Sequence, residues 1–106
     1  MRKIESDMQT AIAAGRNFKS ANTTVENTDQ GQIVRLHGNE IAQIKDNVLY
    51  ITSAGWETTT TKSRLNAILD CLIPGAYVFQ KAFTWYITYN DRTAEFSEIE
   101  GQPIAI

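Results

Sequence analysis

The feature that most constrains this chain is the change of period at Ile33. Val34 and Leu36 alternate with Arg35 and His37, Gly38-Asn39 follows, and the chain returns through Ile41 to Ile44. Alternation places one set of side chains on each face of a strand, and a Gly-Asn pair between two such runs signals a tight hairpin. A connection that short joins antiparallel neighbours, because a parallel pair needs a crossover of about a dozen residues or more. Asp46-Asn47 repeats the turn signal, and Val48-Leu49-Tyr50-Ile51 is β-branched and aromatic, as a central strand requires. These residues predict a three-stranded meander. The same grammar returns later: Tyr77-Val78-Phe79, a turn near Lys81-Ala82, Thr84 to Tyr89, a turn at Asn90-Asp91, and Thr93 to Phe96.

Two stretches carry the helical period instead. Ile4, Met8, Ala11 and Ile12 form one apolar stripe, and Gly15 suits the left-handed geometry that ends a helix, so the expected helix covers residues 3–14. Leu65, Ile68, Leu69 and Leu72 form a second stripe, stopped by Pro74-Gly75. Between the first helix and Ile33 lies a polar segment, Asn17 to Gln32, which reads as loop apart from an edge strand at Thr23-Thr24-Val25. The predicted fold is α+β: one antiparallel sheet of five to seven strands with an N-terminal and a central helix on one face, in the order α-β-β-β(-β)-α-β-β-β. The 106 residues form a single domain, 1–106, in this reading, with a loose C-terminal tail over 98–106 on which Ile104 and Ile106 can still dock.

Composition then narrows the function classes. A net charge of -2 with 10 Lys and Arg against 12 Asp and Glu leans against a general nucleic-acid coat, whose affinity comes from cations neutralising phosphates. One cysteine, Cys71, in an apolar run, excludes an internal disulfide and a multi-cysteine zinc site, and reads as a small buried hydrophobe. No apolar run is long enough for a membrane helix, and Met1 to Glu5 is not followed by the apolar core of a signal peptide. A cytosolic protein without membrane contact is expected.

The stretch Gly55 to Leu65, GWETTTTKSRL, has the outline of a phosphate-binding loop. The spacing rules that out. Six residues separate Gly55 from Lys62, and Thr61 stands where the second glycine must let the backbone approach the phosphates. A helix start fits better, with Thr59, Thr60 or Thr61 as cap. Its charge order runs the wrong way, since Lys62 and Arg64 sit at the end where the helix dipole is already positive. Thr61, Lys62, Ser63 and Arg64 therefore suggest a site for an anion, either a partner's phosphate or carboxylate or a carboxylate of this same chain. Arg35 and His37 are expected on one side of a strand, where they can meet the same kind of partner. Trp56, after a glycine at a strand-to-helix junction, either plugs the core or stands exposed as an anchor.

Catalytic arrangements are thin, and no enzyme is expected. The acidic residues Asp7, Glu26, Asp29, Glu40, Asp46 and Glu57 are scattered, no pair has the spacing of acid–base work, and no metal or cofactor site is expected. Of the strand aromatics, Trp85 and Tyr89 share one face with Ile87, and Tyr86 shares the other with Thr88, which suits a core or a base-stacking surface.

Leu36-His37-Gly38-Asn39-x-Ile41-Ala42, the block from Gly55-Trp56 through Thr60-Thr61-Lys62-Ser63-Arg64-Leu65-Asn66-Ala67, and Val78-Phe79-Gln80-Lys81 with Trp85-Tyr86 resemble a small domain of unknown function found in tailed-phage genomes. The resemblance covers about residues 1–90. It implies a bacteriophage protein acting in the host cell cytoplasm and supplies no activity. Small phage accessory proteins often bind host proteins, including CRISPR–Cas and restriction components, so the expected role is a non-enzymatic inhibitor of a host-defence protein. The alternative is a small nucleic-acid-binding accessory protein of phage DNA metabolism. A homo-oligomer is compatible with either. The expected contact residues are Trp56, Thr61, Lys62, Ser63, Arg64, Arg35 and His37.

Overall fold

A computed structural model describes residues 1–106. The chain is α+β, as the periodicities predict, with the N-terminal helix first and a second helix central. Helix α1 spans Lys3–Ala14 and closes on Gly15 in the left-handed conformation (φ 64°), whose amide reaches back to Ala11 and Ile12. Strands β1 (Phe18–Ser20), β2 (Thr23–Thr28), β3 (Gly31–Leu36), β4 (Asn39–Lys45) and β5 (Val48–Ile51) follow. Helix α2 (Thr59–Leu72) leads to β6 (Tyr77–Lys81), β7 (Thr84–Tyr89) and β8 (Arg92–Glu95), then the short helix α3 (Phe96–Ile99) and β9 (Ile104–Ala105).

The strands form two antiparallel sheets rather than the single sheet expected from the sequence. One has the order β1-β2-β3-β4-β5-β9 and the other β6-β7-β8. The division has a local cause. The free edge of β5 is taken by β9 through Val48 opposite Ala105 and Leu49 opposite Ile104, so β6 cannot continue that sheet. The outer edge of β6 is taken by α2 instead. The Asn66 side chain accepts from the Val78 amide (2.6 Å) and donates to the Val78 carbonyl (3.0 Å), imitating a neighbouring strand. One core of 21 buried residues joins the helices to both sheets.

The polar segment Asn17 to Gln32 is not a loop. Its backbone makes β1 and β2, and Thr23–Val25, expected at an edge, lies between β1 and β3. Gly31 opens β3 so close to β4 that a side-chain Cβ there would collide with the Ile44 carbonyl oxygen. The tail over 98–106 is tied down. Ile104 is buried, the Gly101 amide donates to the Ile51 carbonyl and the Ile106 amide to that of Asn47. Glu100 accepts from the Thr52 hydroxyl and from the Ser53 amide and hydroxyl at the end of β5. No helix is long and apolar enough to cross a membrane.

Candidate functional site

The stretch that resembles a phosphate loop begins where β5 ends. Ala54 and Gly55 have positive φ (55° and 85°), which turns the chain sharply and leaves Trp56 at the surface, 62% exposed. Trp56 is therefore not a core plug. The cap of α2 is Thr58, one residue before the three expected candidates. Its hydroxyl accepts from the Thr61 amide (3.1 Å) and shares a hydrogen bond with the Thr61 hydroxyl (2.9 Å).

The seven residues expected at a contact surface separate into four places. Trp56, Thr61 and His37 line one cavity of about 420 Å³, together with Leu36, Asn39, Ile41, Ser53, Thr58 and Thr60. Two segments meet there because the Thr52 amide donates to the Ile41 carbonyl (2.9 Å), bringing the β3–β4 turn beside the approach to α2. Thr61 itself is buried and its hydroxyl is engaged by the cap. The side chains of His37, Asn39, Trp56 and Thr60 make no hydrogen bond within the chain and are the groups free to meet a ligand.

Lys62 and Ser63 line a second, more open hollow on the other side of α2 with Glu5, Asn66, Asp70 and Tyr77. The Ser63 hydroxyl donates to Glu5 Oε2, while Lys62 is half-buried without an ion pair. Arg35 is on β3, where it pairs across the sheet with Glu26 on β2 (2.8 Å). His37 does not share its face. The β3–β4 register shifts between Val34 and Arg35, β3 ends at Leu36, and His37 occupies the turn itself with φ 52°.

Arg64 lies inside the protein, 3% exposed. Its Nη1 donates to Glu5 Oε2 (2.7 Å), its Nε to Thr23 Oγ1 (2.9 Å) and its Nη2 to Asn22 Oδ1 (3.2 Å). Of the two possibilities for Arg64, a partner's anion or an internal carboxylate, its geometry fits the second. The signal that marks Glu5 is its position. It falls between Ile4 and Met8 on the apolar stripe of α1, where a carboxylate is out of place unless something inside neutralises it.

A family model described as Kyanoviridae Gp96 protein matches residues 1–103. The chain belongs to this cyanophage family. No curated protein and no solved structure matches it. Membership in the Kyanoviridae Gp96 family agrees with the phage origin implied by the resemblance and extends it over α3 and the approach to β9. It assigns no role to the cavity at Trp56.

No group of three or more His, Cys, Asp or Glu side chains converges on a point where a metal could sit. Cys71 is half-buried against the core, with its thiol directed at the Gln9 carbonyl (3.8 Å). Burial, and then the adjacent Asp70 carboxylate, push its pKa up. Because the thiolate is the reactive form, alkylation of the native protein at neutral pH is expected to be slower than that of the urea-unfolded chain. Equal rates would show that the thiol is neither shielded nor perturbed. Because both causes penalise the thiolate in the fold, stability is lost as pH rises from the unfolded thiol's pKa through the folded one.

Proposed function

We propose that this phage protein is a non-enzymatic accessory factor that binds a host protein and inhibits it, with host-defence components such as CRISPR–Cas or restriction systems as the first targets to test. The observation that carries this reading is Trp56. It is a large aromatic, 62% exposed, at the rim of a cavity where His37, Asn39 and Thr60 offer unengaged polar groups. Tryptophan beside unsatisfied polar groups is the composition of a binding hot spot. Nucleic-acid binding, the alternative, draws less support. Two of the cations it would use are already neutralised, Arg64 by Glu5 and Arg35 by Glu26, and the chain is net acidic.

The test is capture of tagged protein from infected host cells. One host protein is expected in stoichiometric amount, retained at salt that strips nucleic acid. Trp56→Ala should weaken that complex by roughly 30-fold or more while changing stability by no more than about 0.5 kcal/mol. Recovery of no host protein under several crosslinking conditions would reject the proposal, as would a complex indifferent to Trp56→Ala. Low-salt gel shifts with single- and double-stranded DNA and RNA test the alternative, which requires a shift that declines steeply with salt.

A further inference from the structure

The cavity of about 420 Å³ at Trp56 is lined from two segments of the chain. The β3–β4 hairpin supplies His37 and Asn39, and with them the buried apolar side chains of Leu36 and Ile41. The path from β5 into α2 supplies Trp56 and Thr60. No Lys, Arg, Asp or Glu lines it, and His37 is its one titratable side chain. The hydroxyls at its margin are already spent. Ser53 donates to Glu100 and accepts from the Gly55 amide, while Thr58 and Thr61 bond each other. The polar groups left for a ligand are the Asn39 carboxamide, the Thr60 hydroxyl and the His37 imidazole. The first two both donate and accept without carrying charge.

These groups define the ligand by its chemistry. Trp56 offers a ring face, 62% exposed, that suits a flat partner. The carboxamide and hydroxyl suit an edge that carries donors and acceptors side by side. A formal charge finds no opposite carboxylate, ammonium or guanidinium among the lining residues and gives up hydration on entry. The volume lies in the range of small-molecule sites, which are mostly apolar with a few placed polar groups. A nucleobase meets each requirement. Its π-face stacks on an aromatic side chain, and its rim alternates donors with acceptors.

We propose that this cavity binds a free nucleoside, with the base stacked on Trp56 and its edge met by Asn39. Adenine is the preferred base, because a carboxamide pairs with its N6 and N7 together. A base within a nucleic-acid strand brings phosphates with it, and no Lys or Arg lines the cavity to receive them. The inference uses the cavity already described but needs no host protein. Its test uses the purified chain, so it fails or stands separately from capture of a host protein.

Adenosine titrated into the purified protein should shift the NMR signals of the Trp56 indole N–H and the Asn39 carboxamide, and leave that of the buried Trp85 in place. For a neutral ligand of this size the expected Kd is on the order of 0.1 mM. Trp56→Ala should weaken binding about tenfold or more. Asn39→Ala should weaken adenosine about tenfold and reduce its advantage over uridine. Both positions are exposed, so both variants should melt with the parent. Indole and p-cresol, rings without the alternating edge, should bind at least about tenfold more weakly than adenosine. The proposal is overturned if adenosine, guanosine, cytidine and uridine all leave these signals unmoved at about 10 mM, or if Trp56→Ala binds within about twofold of the parent. Indole binding as tightly as adenosine overturns it too, because the cavity then recognises a ring alone. So does a single-stranded oligoadenylate that binds more than about tenfold tighter than adenosine and weakens steeply with salt, which makes the ligand a nucleic acid.

Discussion

Replacing Arg64 by methionine is expected to cost about 3–5 kcal/mol, a large part of the roughly 5–15 kcal/mol that holds a domain of this size together. The reason is what the substitution leaves behind. Glu5 and Arg64 have side chains only 5% and 4% exposed. Without the guanidinium, the Glu5 carboxylate stays buried with only the Ser63 hydroxyl as a partner. Thr23 and Asn22 lose donors as well. Glu5→Leu should be similarly damaging, since it strands the arginine. The double variant Glu5→Leu/Arg64→Met removes both charges and should recover most of the loss, because a buried pair replaced by apolar residues of like volume is often close to neutral. Urea unfolding of the four proteins gives the coupling energy. A single-variant loss below about 1 kcal/mol, or a double variant no better than the singles, would show that the pair contributes little.

This pair also explains the wrong-way charge at the start of α2. A cation near a helix N-terminus costs a few tenths of a kcal/mol, an order of magnitude less than leaving Glu5 unpaired. Arg64 belongs to the contact between the two helices, and its place in α2 is set by the carboxylate it must reach on α1. Lys62, which has no such partner, keeps the surface role open, so Lys62→Glu is the charge reversal that reads binding without unfolding the protein.

Much of the fold was legible because burial there follows backbone period. Met8, Ala11 and Ile12 are buried on α1, and Leu65, Ile68 and Leu69 on α2, as their spacing requires. What periodicity could not show is pairing carried by the backbone alone. In β2 only Thr23 and Val25 point into the core, and Glu26 to Thr28 are exposed, so the segment looks like loop although every residue is registered against β3. The split into two sheets depends on β9 reaching β5 across more than half the chain and on Asn66 acting as a strand substitute. Neither leaves a local mark. The candidate site was half legible. Trp56 and His37 could be singled out by residue type, but their meeting in one cavity depends on the Thr52–Ile41 hydrogen bond. The Glu5–Arg64 pair spans 59 positions and betrays itself only by a carboxylate on an apolar stripe.

Phe96 gives the second large effect, and the contrast with Phe83 makes it a test of the fold rather than of residue type. The return strand expected over Thr93 to Phe96 stops at Glu95, and the chain turns into α3 with Phe96 as its first residue. That turn directs the ring inward, where it is fully buried and meets Trp85 edge-on at 5.4 Å. An aromatic of this size buries about 150–250 Å², and an edge-to-face pair adds about 0.5–1.5 kcal/mol beyond the area. Phe96→Ala should therefore cost about 3–5 kcal/mol. It should also loosen the C-terminal segment, because Ile99, Glu100 and Ile104 are positioned through α3. Amide hydrogen exchange would show this as early opening of β9 and of the β5 residues it covers. Phe83→Ala, at 93% exposure, should change the stability of the monomer by no more than about 0.5 kcal/mol. Equal losses at the two positions would mean that Phe83 is packed in solution, and that the three-stranded sheet folds back on itself rather than presenting its outer face.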